Sequence, residues 1–212
     1  MHKSQVLFSN QIRELLKYYP HFKVISTGEN EYLKGILAVP NDDGDVIGNF
    51  LIEIHISEKF PFAFPILFEI GEQIPNEADW HKYKDQSCCI TVPAEEILLC
   101  KNGISIKDFI ETQAIPYLAN YVHRKETGYY KNGDYAHGSK GNYQFYEKLF
   151  KTDNQKLWLE YIKFAFGLKK HNVGRNEKCM CGSNLKYKKC HELVFHKLKL
   201  IGKENVIKNL TH

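Results

Sequence analysis

Phe60-Pro61-Phe62-Ala63-Phe64-Pro65 opens the stretch around which this chain is organised, and Asp85-Gln86-Ser87-Cys88-Cys89-Ile90 closes it. Between them lies Asp79-Trp80-His81. The aromatic-proline turn is stiff, because each proline fixes φ and lacks an amide proton. Pro65 to Ile70 follows as a buried strand, then a polar loop, then a cysteine pair beside an aliphatic residue. A cysteine in a folded protein is most often a small buried hydrophobe. Two features single this pair out. Asp85-Gln86-Ser87 sets it at a loop-to-strand junction, and His81 supplies an imidazole just upstream that can polarise a carbonyl or move a proton. A thiolate is a strong nucleophile even when only a small fraction is ionised. On residue type alone, His81 reads equally as a surface histidine capping a turn.

Upstream of this stretch, apolar residues at Val6, Leu7, Phe8, Ile12, Leu15, Leu16 and Tyr19 predict a helix over 5–19, ended by Pro20. Strands are expected at Phe22 to Ser26, Tyr32 to Val39 and Asn49 to Ile56, separated by turns at Gly28-Glu29-Asn30 and Asn41-Asp42-Asp43-Gly44-Asp45. In the third strand Phe50, Ile52, Ile54 and Ile56 share one face, and Glu53 and His55 the other. With Pro65 to Ile70 this makes a helix followed by a four-stranded antiparallel meander, an α+β architecture. Downstream, Pro93 to Leu99 reads as a short helical turn. Ser105 to Val122 reads as a helix kinked at Pro116, Tyr143 to Phe166 as one long aromatic helix, and Glu192 to Asn209 as an amphipathic helix. Gly128 to Gly141, with Asp134, Tyr135 and His137, is a loop placed to cover the cysteine or to run as ordinary surface.

A length of 212 residues suits one medium domain plus a small module. The expected division is residues 1–167 and 168–212. The second part is basic, with 11 Lys+Arg and 3 Asp+Glu (net +8), whereas the remainder carries 18 basic and 22 acidic residues (net −4). A basic tail can neutralise phosphates, but a lysine-rich surface around a metal site accounts for it as well, so nucleic acid is not an expected partner. No apolar run reaches the roughly 20 residues needed to span a bilayer, and the N-terminus has no signal-peptide core. A reducing cytoplasm is the expected setting. There, six cysteines argue for metal ligation or catalysis before disulfides.

Cys179, Cys181, Cys190 and His191 follow the spacing Cys-x-Cys-x8-Cys-His. Three thiolates and an imidazole form the tetrahedral shell that Zn²⁺ prefers, and four protein ligands leave no open position, so the expected site is structural. So short a segment cannot bury a core, and metal binding would supply its folding free energy. The run Gly174-Arg175-Asn176-Glu177-Lys178-Cys179-Met180-Cys181-Gly182-Ser183, continued by Lys186-Tyr187-Lys188-Lys189-Cys190-His191, resembles the SEC-C motif, with Met180 where proline is usual. This zinc knuckle ends the bacterial SecA ATPase and occurs on many unrelated bacterial proteins. The resemblance implies docking to a protein, with those four residues as zinc ligands.

The order of elements over roughly 5–165 is similar to that of the ubiquitin-conjugating enzymes. Phe60-Pro61-Phe62-Ala63-Phe64-Pro65 resembles that family's Tyr-Pro-Phe-x-Pro-Pro turn, and Ser87-Cys88-Cys89-Ile90 its Ser-Ile-Cys-Leu segment. The family's His-Pro-Asn triplet falls on Asp79-Trp80-His81, so His81 stands where an asparagine steadies the oxyanion. The resemblance implies a UBC-like domain of divergent bacterial type, with Cys89 as nucleophile and Cys88 as its buried neighbour. It implies transthioesterification: Cys89 attacks an activated C-terminal carboxyl, and the acyl group passes to an amine or to water. Implied partners are a protein with a conjugatable C-terminus (a ubiquitin-like protein or a nucleotide cyclase) and an activating enzyme. Some bacterial relatives serve antiviral defence in cyclic-oligonucleotide signalling operons. The competing expectation is a non-catalytic protein-binding module of the same fold, with the zinc knuckle as a second contact.

Overall fold

The structure is a computed structural model. It describes residues 3–28, 30–131, 135–168 and 173–211. Among the described residues no helix is long and apolar enough to cross a membrane. The expected α+β class holds, and the chain forms two compact units. One comprises the residues up to Thr91 together with Leu99–His137, and the other comprises Val92–Leu98 and the residues from Gly138 onward.

The first unit begins with α1 (Lys3–Leu15), which buries Phe8, Ile12 and Leu15 along one stripe. It ends four residues before Tyr19, the expected end. The strands β1 (Phe22–Thr27), β2 (Asn30–Pro40), β3 (Val46–His55) and β4 (Ile66–Glu69) form one antiparallel sheet in chain order. The register sets Leu33 against Ile54 and Leu37 against Phe50. Side chains alternate across a strand, so Leu33, Leu37, Val39, Phe50, Ile52, Ile54 and Leu67 all enter the core. Gly35 fits the same inward row because a Cβ there would lie 2.5 Å from both the His21 carbonyl oxygen and the Phe22 ring. Asn41 closes the β2–β3 turn, its side-chain oxygen accepting from the amides of Asp43 and Asp45 at 3.0 and 2.8 Å. After β3 the aromatic-proline turn buries Phe60 edge-on against Phe8, with ring centres 5.7 Å apart. The Phe60–Pro61 peptide is cis.

The segment read as one helix kinked at Pro116 is α3 (Ile106–Phe109), a wide π-type turn (Ile110–Ala114) and α4 (Ile115–Thr127). Ser105 caps α3 by accepting from the Asp108 amide at 3.0 Å. Pro116 offers no amide to the Thr112 carbonyl, and the wide turn just ahead of it absorbs that missing bond. The stretch α2 (Pro93–Leu99) forms as expected.

The second unit corrects two helix expectations and takes in residues that the sequence division assigned to the first part. Tyr143 to Phe166 is two helices, α5 (Ser139–Phe150) and α6 (Gln155–Ala165). Lys151 turns left-handed at φ 56°, and Asn154 caps α6 by accepting from the Lys156 amide at 3.1 Å. Glu192 to Asn209 is likewise broken, into α7 (Glu192–Ile201) and α8 (Lys203–Thr211), at Gly202 with φ 87°. The helices α5 and α6 cluster with the C-terminal residues because their aromatic rings form a continuous row. Tyr143 and Phe150 meet Trp158, Phe150 meets Tyr161, and Tyr161 meets Phe195 of α7, at centroid distances of 5.8, 5.6, 5.6 and 6.1 Å. Tyr146 adds a hydrogen bond from Asn209 of α8 at 3.3 Å.

Candidate active site and metal centre

The cysteine pair lies on a tight hairpin. The Tyr83 amide donates to the Ser87 carbonyl, and the Gln86 amide closes the turn onto Tyr83, both at 2.9 Å. Asp85 stiffens the turn by accepting from the Ser87 amide at 3.0 Å and its hydroxyl at 2.6 Å, bonds that hold its carboxyl below the usual range. The returning arm adds to the edge of β4: the Cys88 amide donates to the Leu67 carbonyl at 2.8 Å. One residue on, the Cys89 amide donates to the His81 carbonyl at 2.7 Å. Cys89 and His81, eight residues apart in sequence, are therefore cross-strand neighbours. His81 itself sits at φ 56°, the left-handed turn that leads from the short 3-10 turn Ala78–Trp80 into the hairpin.

The two thiols differ. Cys88 is buried, and burial pushes its thiol up to about 11 against the opposing pull of the Tyr117 hydroxyl and the Lys82 ammonium. Cys89 is only half-buried. Beside Cys88 the side chains of Lys82 and Glu69 are 4% and 0% exposed, and they form an ion pair at 3.5 Å. The Lys82 ammonium also donates to the Glu69 carbonyl at 2.8 Å, and the Glu69 carboxylate accepts from the amides of Gly71, Ile74 and Gln73 at 2.8, 3.1 and 3.4 Å. A buried charge needs such partners, because leaving water costs several kcal/mol. The pair ties the first arm of the hairpin to the end of β4.

Side chains from α4 and the loop after it hold the carbonyls of residues 79–81. The Tyr117 hydroxyl reaches the carbonyls of His81 and Trp80 at 3.0 and 3.3 Å, and burial raises its pKa far above the usual tyrosine range. Arg124 donates to the Asp79 carbonyl and, at 2.8 Å, to the Tyr130 hydroxyl. Its guanidinium lies over the rings of Trp80 and Tyr130, at 4.2 and 4.7 Å from their centres. The His81 ring packs against Tyr130 at 5.1 Å and His137 at 4.6 Å. His137 Nε2 is 3.9 Å from Asp79 Oδ1. Of the loop residues expected near the cysteine, His137 therefore joins His81, while Asp134 lies outside the described residues. Cys100 is fully buried.

The second cluster gathers all four expected ligands. Cys179 Sγ and Cys190 Sγ lie 3.3 and 3.1 Å from His191 Nδ1, and Cys181 Sγ lies 3.5 Å from Cys190 Sγ. All four candidate donor atoms fall within 4.8 Å of one another. A tetrahedron with Zn–S of about 2.3 Å and Zn–N of about 2.0–2.1 Å has edges of roughly 3.5–3.8 Å, so the donor set fits a metal ion with small adjustments. His191 fits in a second respect. With Nδ1 toward the sulfurs, Nε2 is buried without a partner in good hydrogen-bond geometry. The Phe150 carbonyl is near enough to favour a proton on the ring, though burial has the larger effect and lowers its pKa. A neutral ring with Nδ1 toward the thiols is the form in which an imidazole binds a metal ion. Burial pushes the Cys179 thiol up, to about 11; at Cys181 burial also acts upward, but hydrogen bonds from Ser183 bring the net below the usual value. Around the cluster, the Cys179 amide donates to the Leu185 carbonyl at 2.7 Å, and Arg175 grips Glu192 with two bonds of 2.6 and 3.0 Å. Tyr161 of α6 lies against the His191 ring at 4.5 Å.

Sequence reasoning missed Tyr117, Arg124, Lys82 and Glu69. Spacing carried one faint signal: Tyr117 and Arg124 are seven residues apart, two turns of one helix face. A SEC-C motif family model matches residues 175–193, which contain all four clustered residues. Comparison of the whole chain with curated proteins and with solved structures returned no match.

Proposed function

We propose that the first unit is a ubiquitin-conjugating-like acyl-transfer enzyme, and that the second carries a structural zinc knuckle for docking to a protein. The observation that carries the first part is the hairpin: the Cys89 amide bonded to the His81 carbonyl at 2.7 Å, with Cys89 half-buried and Cys88 held as a buried thiol. In this reading Cys89 attacks the activated C-terminal carboxyl of a partner, a ubiquitin-like protein or a nucleotide cyclase, and forms a thioester. The Cys89 amide is already spent on the hairpin, so it does not also serve the oxyanion. That role falls to an N–H of the His81 imidazole, standing where the family's asparagine would stand. Bound at Cys179, Cys181, Cys190 and His191, Zn²⁺ would cross-link the knuckle and add no chemistry at Cys89.

The test is intact mass after mixing the protein with ATP and lysate of its native host, for wild type, Cys89→Ser and Cys88→Ser. The expected result is a large adduct on wild type and Cys88→Ser that hydroxylamine removes, and a hydroxylamine-resistant ester or nothing on Cys89→Ser. An adduct unaffected by Cys89→Ser would refute the assignment. The histidine in the asparagine position favours the second reading, a binding module of the same fold. Stoichiometric capture of a partner without any covalent adduct would support that reading instead.

A further inference from the structure

We propose that His137, backed by Asp79, is the proton acceptor for a primary amine that attacks the acyl group on Cys89. This inference rests on the acyl-transfer reading above and adds to it the residue that takes the proton of an amine acceptor. Two imidazoles stand side by side next to the cysteine hairpin, with ring centres 4.6 Å apart. Their neighbours divide the labour. His81 is fixed by its own carbonyl, which receives the Cys89 amide and the Tyr117 hydroxyl. His137 has a carboxylate at hand, its Nε2 lying 3.9 Å from Asp79 Oδ1. Among the described residues, the charged or titratable groups packed here include Tyr130, on the His81 ring, Tyr117, on the His81 carbonyl, and Arg124, which is engaged by the Asp79 carbonyl and by the faces of Trp80 and Tyr130.

An alkylamine is almost wholly protonated at neutral pH, so it must lose a proton to attack a thioester and lose another once bonded. Its nitrogen lone pair forms the C–N bond, and the tetrahedral intermediate places its oxyanion by His81. The C–S bond then breaks, and Cys89 departs as thiolate. The first proton of the ammonium goes to His137 Nδ1, where Asp79 stabilises the resulting imidazolium across Nε2, and the second leaves to water once the C–N bond has formed. No electrons change hands and no co-reactant is needed. His137 passes the proton to water through its exposed side, its side chain being 35% accessible.

The experiment uses the full chain and a synthetic probe, a peptide ending in Gly-Gly as its mercaptoethanesulfonate thioester, which loads Cys89 without an activating partner. After excess donor is removed, discharge is timed with free lysine and, separately, with hydroxylamine, which is a neutral nucleophile at pH 7. General-base help is typically worth 10²–10⁴-fold. His137→Gln should slow lysine discharge about 100-fold and leave hydroxylamine discharge within about twofold. Asp79→Asn should give a smaller loss with the same selectivity. Lysine discharge unchanged in His137→Gln overturns the proposal, and so does equal slowing with both nucleophiles, which marks a merely structural residue. Failure of Cys89 to load on the wild type, with the probe intact, overturns the acyl-transfer reading and this inference with it.

Discussion

Replacing Lys82 by Met is the most informative single change in the first unit. Its ammonium and the Glu69 carboxylate are 4% and 0% exposed and lie 3.5 Å apart. At an effective dielectric of about 20, charges at that distance attract by roughly 5 kcal/mol, most of which offsets the loss of hydration. Removing one partner of such a pair typically costs about 3–5 kcal/mol, because the other charge stays buried. Lys82→Met should fall near 3 kcal/mol, since Glu69 keeps the amides of Gly71, Gln73 and Ile74. Glu69→Gln should cost about 4 kcal/mol, since it strands the ammonium. The double variant should cost about 1–2 kcal/mol, well under the sum, because no bare charge remains. The measurement is urea unfolding followed by Trp80 fluorescence in a Trp158→Phe background, which silences the one other tryptophan. Lys82→Met costing under about 1 kcal/mol would refute this account, and so would additive losses in the double variant. Because the Lys82 ammonium pulls the buried Cys88 thiol downward, the same variant should raise that thiol further and label more slowly with iodoacetamide at Cys88.

Three further outcomes are expected. With a thiol near 11, Cys88 is about one part in a thousand thiolate at pH 8; its alkylation should be slow and rise about tenfold per pH unit up to that value, checked by peptide mapping. The purified chain should hold about one Zn²⁺, and chelation or Cys190→Ser should open Arg175, Lys178 and Lys186 to trypsin while leaving the Trp80 unfolding transition in place. An identical tryptic pattern with and without metal would overturn the site. Gly35→Ala should cost more than about 2 kcal/mol, since its Cβ would meet backbone and ring at 2.5 Å, while Gly202→Ala should cost about 1 kcal/mol from its positive φ, its Cβ coming no nearer than 3.7 Å, at the Asn205 amide, among the described residues. Thermal unfolding of both variants checks the order.

Alternation made the sheet legible. Phe50, Ile52 and Ile54 on one face and Glu53 and His55 on the other leave a strand no other register. The gathering of Cys179, Cys181, Cys190 and His191 into a cluster that could hold a metal ion was legible, because the four lie within 13 residues and thiols at such spacing have few other uses. Helix ends were harder. Lys151 adopts a left-handed turn that its residue type disfavours, and the one local cue is the Asn154 cap. At α7–α8 the apolar period runs unbroken through Gly202, so its φ of 87° showed only in three dimensions. The supports of the candidate site were illegible for another reason. Tyr117 bonds residues 36 and 37 positions away, Arg124 one 45 away, and Lys82 pairs with a glutamate 13 away. No local pattern encodes such pairings.

The distribution of those supports bears on whether the turn at 79–81 is scaffold or machinery. All three of its carbonyls are held by side-chain donors: Asp79 by Arg124 and Tyr130, and Trp80 and His81 by Tyr117. A turn that merely joined two elements would need no such set, since water satisfies exposed carbonyls at no cost in side-chain entropy. Fixing the backbone fixes the bases of the Asp79 and His81 side chains, and it does so from α4, a rigid element, rather than from the loop itself. The Cys89 amide closes the same frame from the other side. Preorganisation of that kind matters most where groups must keep their geometry while charge develops nearby. A binding surface tolerates the loss of one such contact with a modest drop in affinity, whereas a reacting centre loses rate steeply for a displacement near 1 Å. Tyr117, half-buried and sharing its one hydroxyl proton between two carbonyls beside the cysteine pair, is a support of the kind that the proposed acyl transfer at Cys89 would need.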